Sequence, residues 1–160
     1  MVSLFISHIR PILDYCSPLW NVGYIGDTVL LERVQRSWTK HIQGMEHTNY
    51  SSRLRSLKLF SIKGRLLRAD ILYCWKIFHG LTGVEPGEIF AMAPLHTTRG
   101  HNMKIYYPSV SSDTRKRFFS VRIIDRWNSL PSEIVETTDI SMFKRKLENH
   151  LGDLLYEYLE

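Results

Sequence analysis

The chain has 160 residues, 44% of them apolar, with 21 Lys/Arg against 16 Asp/Glu for a formal charge of +5. A chain this long buries roughly 70% of the surface it exposes when unfolded, so a core forms without metal or disulfide staples. The two cysteines, Cys16 and Cys74, sit in apolar runs (DYCSPLW and LYCWKIF). They read as two buried thiols in a reducing, intracellular compartment, nucleus or cytoplasm, with a disulfide as the lesser alternative. Val2 to Ile9 is apolar but lacks the basic start and small-residue cleavage site of a secretory signal, and no run approaches a membrane span.

The charge is unevenly placed. Residues 53–81 carry seven Lys/Arg and one acid and residues 99–126 carry seven and two, whereas residues 127–160 carry three and seven. Two basic blocks in a neutral or acidic remainder suit a polyanionic partner, because neutralised phosphates release counterions; a solvated basic surface is the plainer alternative.

In chain order, Leu4 to Cys16 reads as a helix that Pro11 kinks or restarts. Asp27 or Thr28 caps a second helix, on which Leu30, Leu31, Val34, Trp38 and Ile42 form an apolar stripe that ends at Gly44. The stripe predicts the packing face, and Glu32 and Arg36 make an i,i+4 surface pair. Tyr50, Leu54 and Leu57 mark one side of a short helix. Ser61 caps the longest, expected over 62–81. Its apolar arc holds Ile62, Leu66, Leu67, Ala69, Tyr73, Cys74, Ile77, Phe78 and Leu81, and Arg65, Arg68, Lys76 and His79 collect opposite.

Asp70 falls inside that apolar arc. A lone carboxylate there costs several kcal/mol, so it needs a cation, and Arg122 is the expected partner, ahead of Arg99 and Arg126. Arg122 belongs to RKRFFSVRIIDRWNSLPS, the densest run of large side chains in the sequence, which reads as a buried helix over 118–130 ended by Pro131. Before it lie a loop over 80–94 with an apolar knot (Ile89, Phe90, Met92) and a β-rich segment, 97–108, that predicts a small strand element. Asp139 or Ser141 caps a last helix with Phe143, Leu147 and Leu151 four residues apart. The fold class is therefore mainly α, an irregular bundle of about five helices with one small β element near residues 97–108. It reads as a single region over 1–160: a helical half at 1–81, a loop and short strand at 82–114, and C-terminal helices at 115–160.

Catalytic motifs are not found. The acids do not cluster as a two-metal site would require, the seven histidines form no HxxxH, and no GxSxG turn is present. His101 in TRGHN is the one histidine worth following, and a hydrogen bond within its own loop is the simpler account. Basic residues interleaved with aromatics are what the chain does offer. Arg65, Arg68 and Lys76 share a helix, and Arg99, Lys104, Arg115, Lys116 and Arg117 flank the β-rich segment and the dense run. Positive side chains follow a phosphate backbone, and Tyr106 or Tyr107 is placed to stack on a base.

Seven pieces in order carry a resemblance: RPILDYCSPLW; LLERVQRSWTKHIQG; YxxRLxxLxLxS; RxxRxDI; F…TRGH; RxFFSxRxxxxWNxLP; and FKRKL. Over about residues 5–151 the chain resembles the C-terminal, thumb and post-thumb, region of reverse transcriptases of jockey-like non-LTR (LINE-type) retrotransposons. It departs from that pattern at Leu66, where a second arginine is common, and at Lys63, where an acid is usual. The resemblance implies a noncatalytic C-terminal fragment of an RNA-directed DNA polymerase. The catalytic aspartates of the family belong to an aromatic-x-Asp-Asp motif, and no Asp-Asp pair occurs here. It implies no cofactor, metal or membrane. The expected partners are the backbone of RNA or an RNA/DNA duplex, bound with sequence tolerance, and a polymerase palm supplied elsewhere. The alternative is a structural or protein-interaction fragment with no independent activity, exposing Leu30, Val34, Trp38, Leu151, Leu154 and Leu155.

Overall fold

The longest helix, Ile62–Phe78, starts where the Ser61 hydroxyl accepts the backbone N–H of Gly64 at 2.9 Å, satisfying a first-turn donor that has no partner within the helix. It stops at Gly80, whose φ of +67° lets the Leu81 N–H turn back onto the Lys76 carbonyl at 2.9 Å. This computed structural model describes residues 2–94 and 100–159, and the chain is mainly helical. Among the described residues four helices reach seven residues or more: Ile25–Lys40, Tyr50–Ser56, Ile62–Phe78 and Ile140–Leu151. The sequence reads as one region, but contacts divide it into two compact units, Met1–Arg68 with Leu151–Glu160, and Ala69–His150. The hand-over falls within the longest helix.

In the first unit a π-helical turn, Phe5–Ile9, runs into Arg10–Asp14, which carries Pro11 in its first turn. Proline has no N–H to give to the preceding turn, and the wider π turn absorbs that gap. Phe5 is buried and stacks on Trp38, with ring centroids 4.4 Å apart.

The helix Ile25–Lys40 corrects the sequence reading most sharply. Its buried face is Thr28, Glu32, Gln35 and Thr39, and the expected packing stripe points outward, with Leu30 58% and Val34 46% exposed. Polar residues occupy the inside because each meets a group that needs it. Glu32 accepts the Tyr50 hydroxyl on one carboxylate oxygen and the Ile62 N–H on the other at 2.8 Å. The Gln35 amide donates to the Tyr50 hydroxyl at 3.1 Å and to the Phe60 carbonyl at 3.0 Å. The Thr39 hydroxyl receives Arg53 Nε at 3.4 Å. Buried polar groups are tolerated when paired in this way. Glu32 thereby caps the longest helix, and Arg36, its supposed surface partner, lies instead over the rings of Tyr50 and Tyr158.

The C-terminal tail closes the first unit. After Leu151, a 3₁₀ turn over Gly152–Tyr156 brings the Leu155 carbonyl to the Ser61 N–H at 2.9 Å, and the Ser61 hydroxyl donates to the Glu157 carbonyl at 2.5 Å. Tyr158 meets Tyr50 edge-on and Tyr156 meets Phe60. The backbone of Leu155 passes so near Gly64 that a Cβ there would lie 2.3 Å from its carbonyl oxygen. Of the apolar residues expected outside, Leu151 and Leu155 are buried, because the tail is an internal element rather than a free end.

The second unit is built round Trp75, which stacks on Phe143 and donates its indole N–H to the Thr137 carbonyl at 3.1 Å. Ile71, Cys74, Ile77, Val121, Ile123, Ile124, Trp127, Ile134, Val135 and Leu147 complete a core buried throughout. Phe78 lies parallel to Trp127 and to Phe90. Asp139 caps Ile140–Leu151 by accepting the Met142 N–H at 2.7 Å.

Two expectations fail here. The β element is not formed: residues 97–99 lie outside the described residues, and among the described ones there is no strand, only a single antiparallel bridge of Met92 with Ile105. Backbone bonds from Ala93 to the Lys104 carbonyl and from Tyr106 to the Ala91 carbonyl occupy one edge. The Asn128 side chain takes the other, accepting the Ile105 N–H at 3.0 Å and donating to its carbonyl at 2.8 Å. An amide side chain serves one residue and then ends the ladder, so β-rich composition produces no sheet. The dense run is not one helix either. Phe118 is extended (ψ 146°) and separates the turn Asp113–Lys116 from Phe119–Arg122 and Ile124–Asn128, and Phe118 itself is exposed.

Candidate nucleic-acid interface

Ile105 is fixed on both edges, with its side chain buried, and the chain then leaves the core as Tyr106 and Tyr107, 59% and 47% exposed. Asn128 and Trp127 position this segment from the Ile124–Asn128 helix, the Trp127 indole N–H donating to the Met103 carbonyl at 2.6 Å. In the same unit the short turn Asp113–Lys116 presents Arg115 and Lys116 to solvent. The Arg115 guanidinium lies 5.2 Å from the centre of the exposed Phe118 ring. Lys116 pairs with Asp113 at 2.9 Å, which holds the ammonium above its ordinary range and the carboxyl below its own; Tyr107 lies within electrostatic reach of Lys116 and adds to its rise. Both charges stay fully solvated, so the pair contributes little to stability and is open to exchange with an outside anion.

The other residues expected from the sequence are distributed differently. Arg65 is in the first unit and only 4% exposed, paired with Asp14 at 3.3 Å. Its guanidinium nitrogens make no hydrogen bond among the described residues, and burial lowers its proton affinity. It is a buried structural cation, not a surface contact. Arg68 in the first unit and Lys76 and Lys104 in the second are half-buried. Arg117 is half-buried, and its carbonyl accepts Arg122 Nη1 at 3.0 Å. Arg99 lies outside the described residues.

Asp70 and Arg122 meet within the second unit. Arg122 Nε donates to one carboxylate oxygen at 2.9 Å and Nη2 to the other at 2.8 Å. Burial raises the Asp70 carboxyl, and Arg122 opposes that rise. Cys74, one turn along the same helix, is fully buried, and burial pushes its thiol well up, leaving it inert. Cys16 is exposed, contrary to the expectation of two buried thiols, because its left-handed backbone (φ +51°) ends the Arg10–Asp14 helix and turns the side chain outward.

His101 is buried with Nε2 on the Trp127 carbonyl at 3.1 Å, so it donates there as a neutral ring, and burial lowers its pKa. Among the described residues no cluster of His, Cys, Asp and Glu is arranged to hold a metal, and no helix is long and apolar enough to cross a membrane. A cleft of about 430 Å³ in the first unit is lined by Ser51, Arg55, Asp153, Tyr156, Glu157 and Tyr158. Its charges are engaged locally, Arg55 with Asp153 at 2.8 Å and Glu157 with Lys63 at 2.9 Å.

No protein-family model, curated protein or solved structure matches the chain. Sequence reasoning missed Phe118 as a surface ring and Asp113 as the competitor for Lys116. The i,i+3 spacing of Asp113 and Lys116 was the available signal.

Proposed function

We propose that this chain is a noncatalytic, nucleic-acid-contacting module of the kind found in the thumb and post-thumb region of a non-LTR retrotransposon reverse transcriptase. The observation that supports it best is the grouping, on one unit, of solvent-exposed Arg115 and Lys116 with exposed Tyr107 and Phe118. The ordered sequence motifs and the mainly helical fold agree with the reading. No catalytic step is assigned to this chain, since the sequence has no Asp-Asp pair to serve as the family's metal-binding motif. Its partner would be a phosphate backbone, RNA or RNA/DNA hybrid, held without base-specific reading, and a palm supplied elsewhere would perform the chemistry.

A gel-shift series with RNA and RNA/DNA hybrid at rising salt tests this. Binding should fall steeply with salt, and Arg115→Ala with Lys116→Ala should each flatten the slope by about one. Absence of any shift at low salt removes the proposal.

A second reading, a protein-interaction module without independent activity, is favoured by the exposed apolar residues of the first unit, Ile12, Leu19, Ile25, Leu30 and Val34. Self-association or capture of a palm domain that Leu30→Asp abolishes would support it, and a strictly monomeric chain indifferent to that change would count against it.

A further inference from the structure

Duplex recognition needs only charge, yet the candidate interface also spends exposed aromatic surface. Tyr107 is exposed although the segment before it is anchored at Ile105 from both edges, so its exposure is built in rather than a result of a loose loop. Lys116 is next to it, and Arg115 lies against the exposed face of Phe118 two residues on. Residues 99–126 carry seven basic and two acidic side chains, so the surroundings favour an anionic occupant. In a duplex the faces of the bases are already stacked and only phosphates and groove edges are offered. A tyrosine ring beside a solvated ammonium matches a nucleotide whose base is unpaired, with the ring under the base and the cation on the phosphate.

We propose that Tyr107, with Lys116 and Arg115, forms a site for single-stranded nucleic acid, stacking an unpaired base on the Tyr107 ring while the two cations hold the adjoining phosphates. The inference rests on the nucleic-acid reading above and narrows its partner from duplex backbone to single strand. Asp113 is the internal competitor: its carboxylate occupies Lys116 until a phosphate replaces it.

The test is fluorescence anisotropy with the full chain and a labelled RNA strand of about 12 nucleotides, used alone, hybridised to its DNA complement, and with abasic sites in place of its bases, all at about 50 mM salt. The single strand should bind more tightly than the hybrid, and the abasic strand should bind no better than the hybrid. Tyr107→Ala should weaken single-strand binding by about fivefold or more and leave the hybrid unchanged, and Tyr107→Phe should restore it. Asp113→Asn should tighten both. Circular dichroism of each variant checks that the fold is kept, which the exposure of Tyr107 predicts. Equal binding of all three ligands with no effect of Tyr107→Ala overturns the single-strand site and leaves the phosphate-binding reading standing. No binding of any ligand overturns both.

Discussion

Arg122 grips Asp70 end to end, two parallel N–H···O bonds of 2.9 and 2.8 Å between residues 52 positions apart in sequence. Asp70 is buried within an apolar helix face, and the same guanidinium also donates to the Arg117 carbonyl and lies 5.7 Å from the Phe119 ring centre. Removing one partner leaves the other charge buried and unpaired. Asp70→Ala or Arg122→Ala should therefore cost about 3–5 kcal/mol in urea unfolding. The double change Asp70→Leu with Arg122→Met should cost much less than the sum. A double-mutant cycle that adds without interaction would show the pair to be incidental.

This pair was legible in the sequence because a carboxylate on an apolar arc has few ways to exist. Ser61 and Asp139 were legible as caps for a similar reason: a short polar side chain just before a periodic run meets first-turn donors. What stayed hidden depended on distant partners. Glu32 looks like half of a surface pair until Tyr50 and the Ile62 N–H arrive from elsewhere in the chain. Trp75 lies seven residues after Arg68, on what the helical wheel marks as the basic side, and its burial comes from Phe143 and the Thr137 carbonyl. At the candidate interface, composition marked the cations and tyrosines, but only coordinates separate exposed Arg115 and Lys116 from buried Arg65.

Gly64 is a glycine because of the tail. A methyl group there would meet the Leu155 backbone at 2.3 Å, and neither the helix nor the Ser61-bonded tail has a flexible side chain to yield. Gly64→Ala should raise intrinsic helix propensity yet destabilise, at the upper end of roughly 1–3 kcal/mol. Limited proteolysis should show cleavage near residues 152–158 appearing before global unfolding. A variant at least as stable as the parent would mean that the tail does not hold this position.

Glu32 makes an unusual pH prediction. Burial raises its folded-state carboxyl above the ordinary 4.5, outweighing the hydrogen bonds from Tyr50 and Ile62 that lower it. Between 4.5 and the raised folded value the folded chain binds more protons than the unfolded one. The contribution of Glu32 is thus fully present below about pH 4.5 and declines as pH rises through the folded value. His101 acts in the opposite sense: its lowered pKa removes stability as pH falls below 6.5. Comparing urea unfolding of the parent with Glu32→Gln between about pH 4 and 7 isolates the first effect. The variant should lose the decline with rising pH, and identical pH dependence in both would contradict it.

The inverted helix Ile25–Lys40 yields the sharpest contrast, because hydrophobicity and structure predict opposite outcomes for neighbouring residues. If Leu30 and Val34 packed inward, as their spacing suggests, Leu30→Ser would cost several kcal/mol and Gln35→Ala almost nothing. In the structure Leu30 faces solvent, whereas Gln35 is fully buried and bridges the Tyr50 hydroxyl and the Phe60 carbonyl. Leu30→Ser should accordingly stay within about 0.5 kcal/mol of the parent. Gln35→Ala should cost about 1–3 kcal/mol, because it leaves the Phe60 carbonyl and one side of the Tyr50 hydroxyl buried without a partner. Thermal or urea unfolding of the two single variants decides between the orientations. A costly Leu30→Ser with a silent Gln35→Ala would require the helix to be turned about its axis, taking the Glu32 cap away from Ile62.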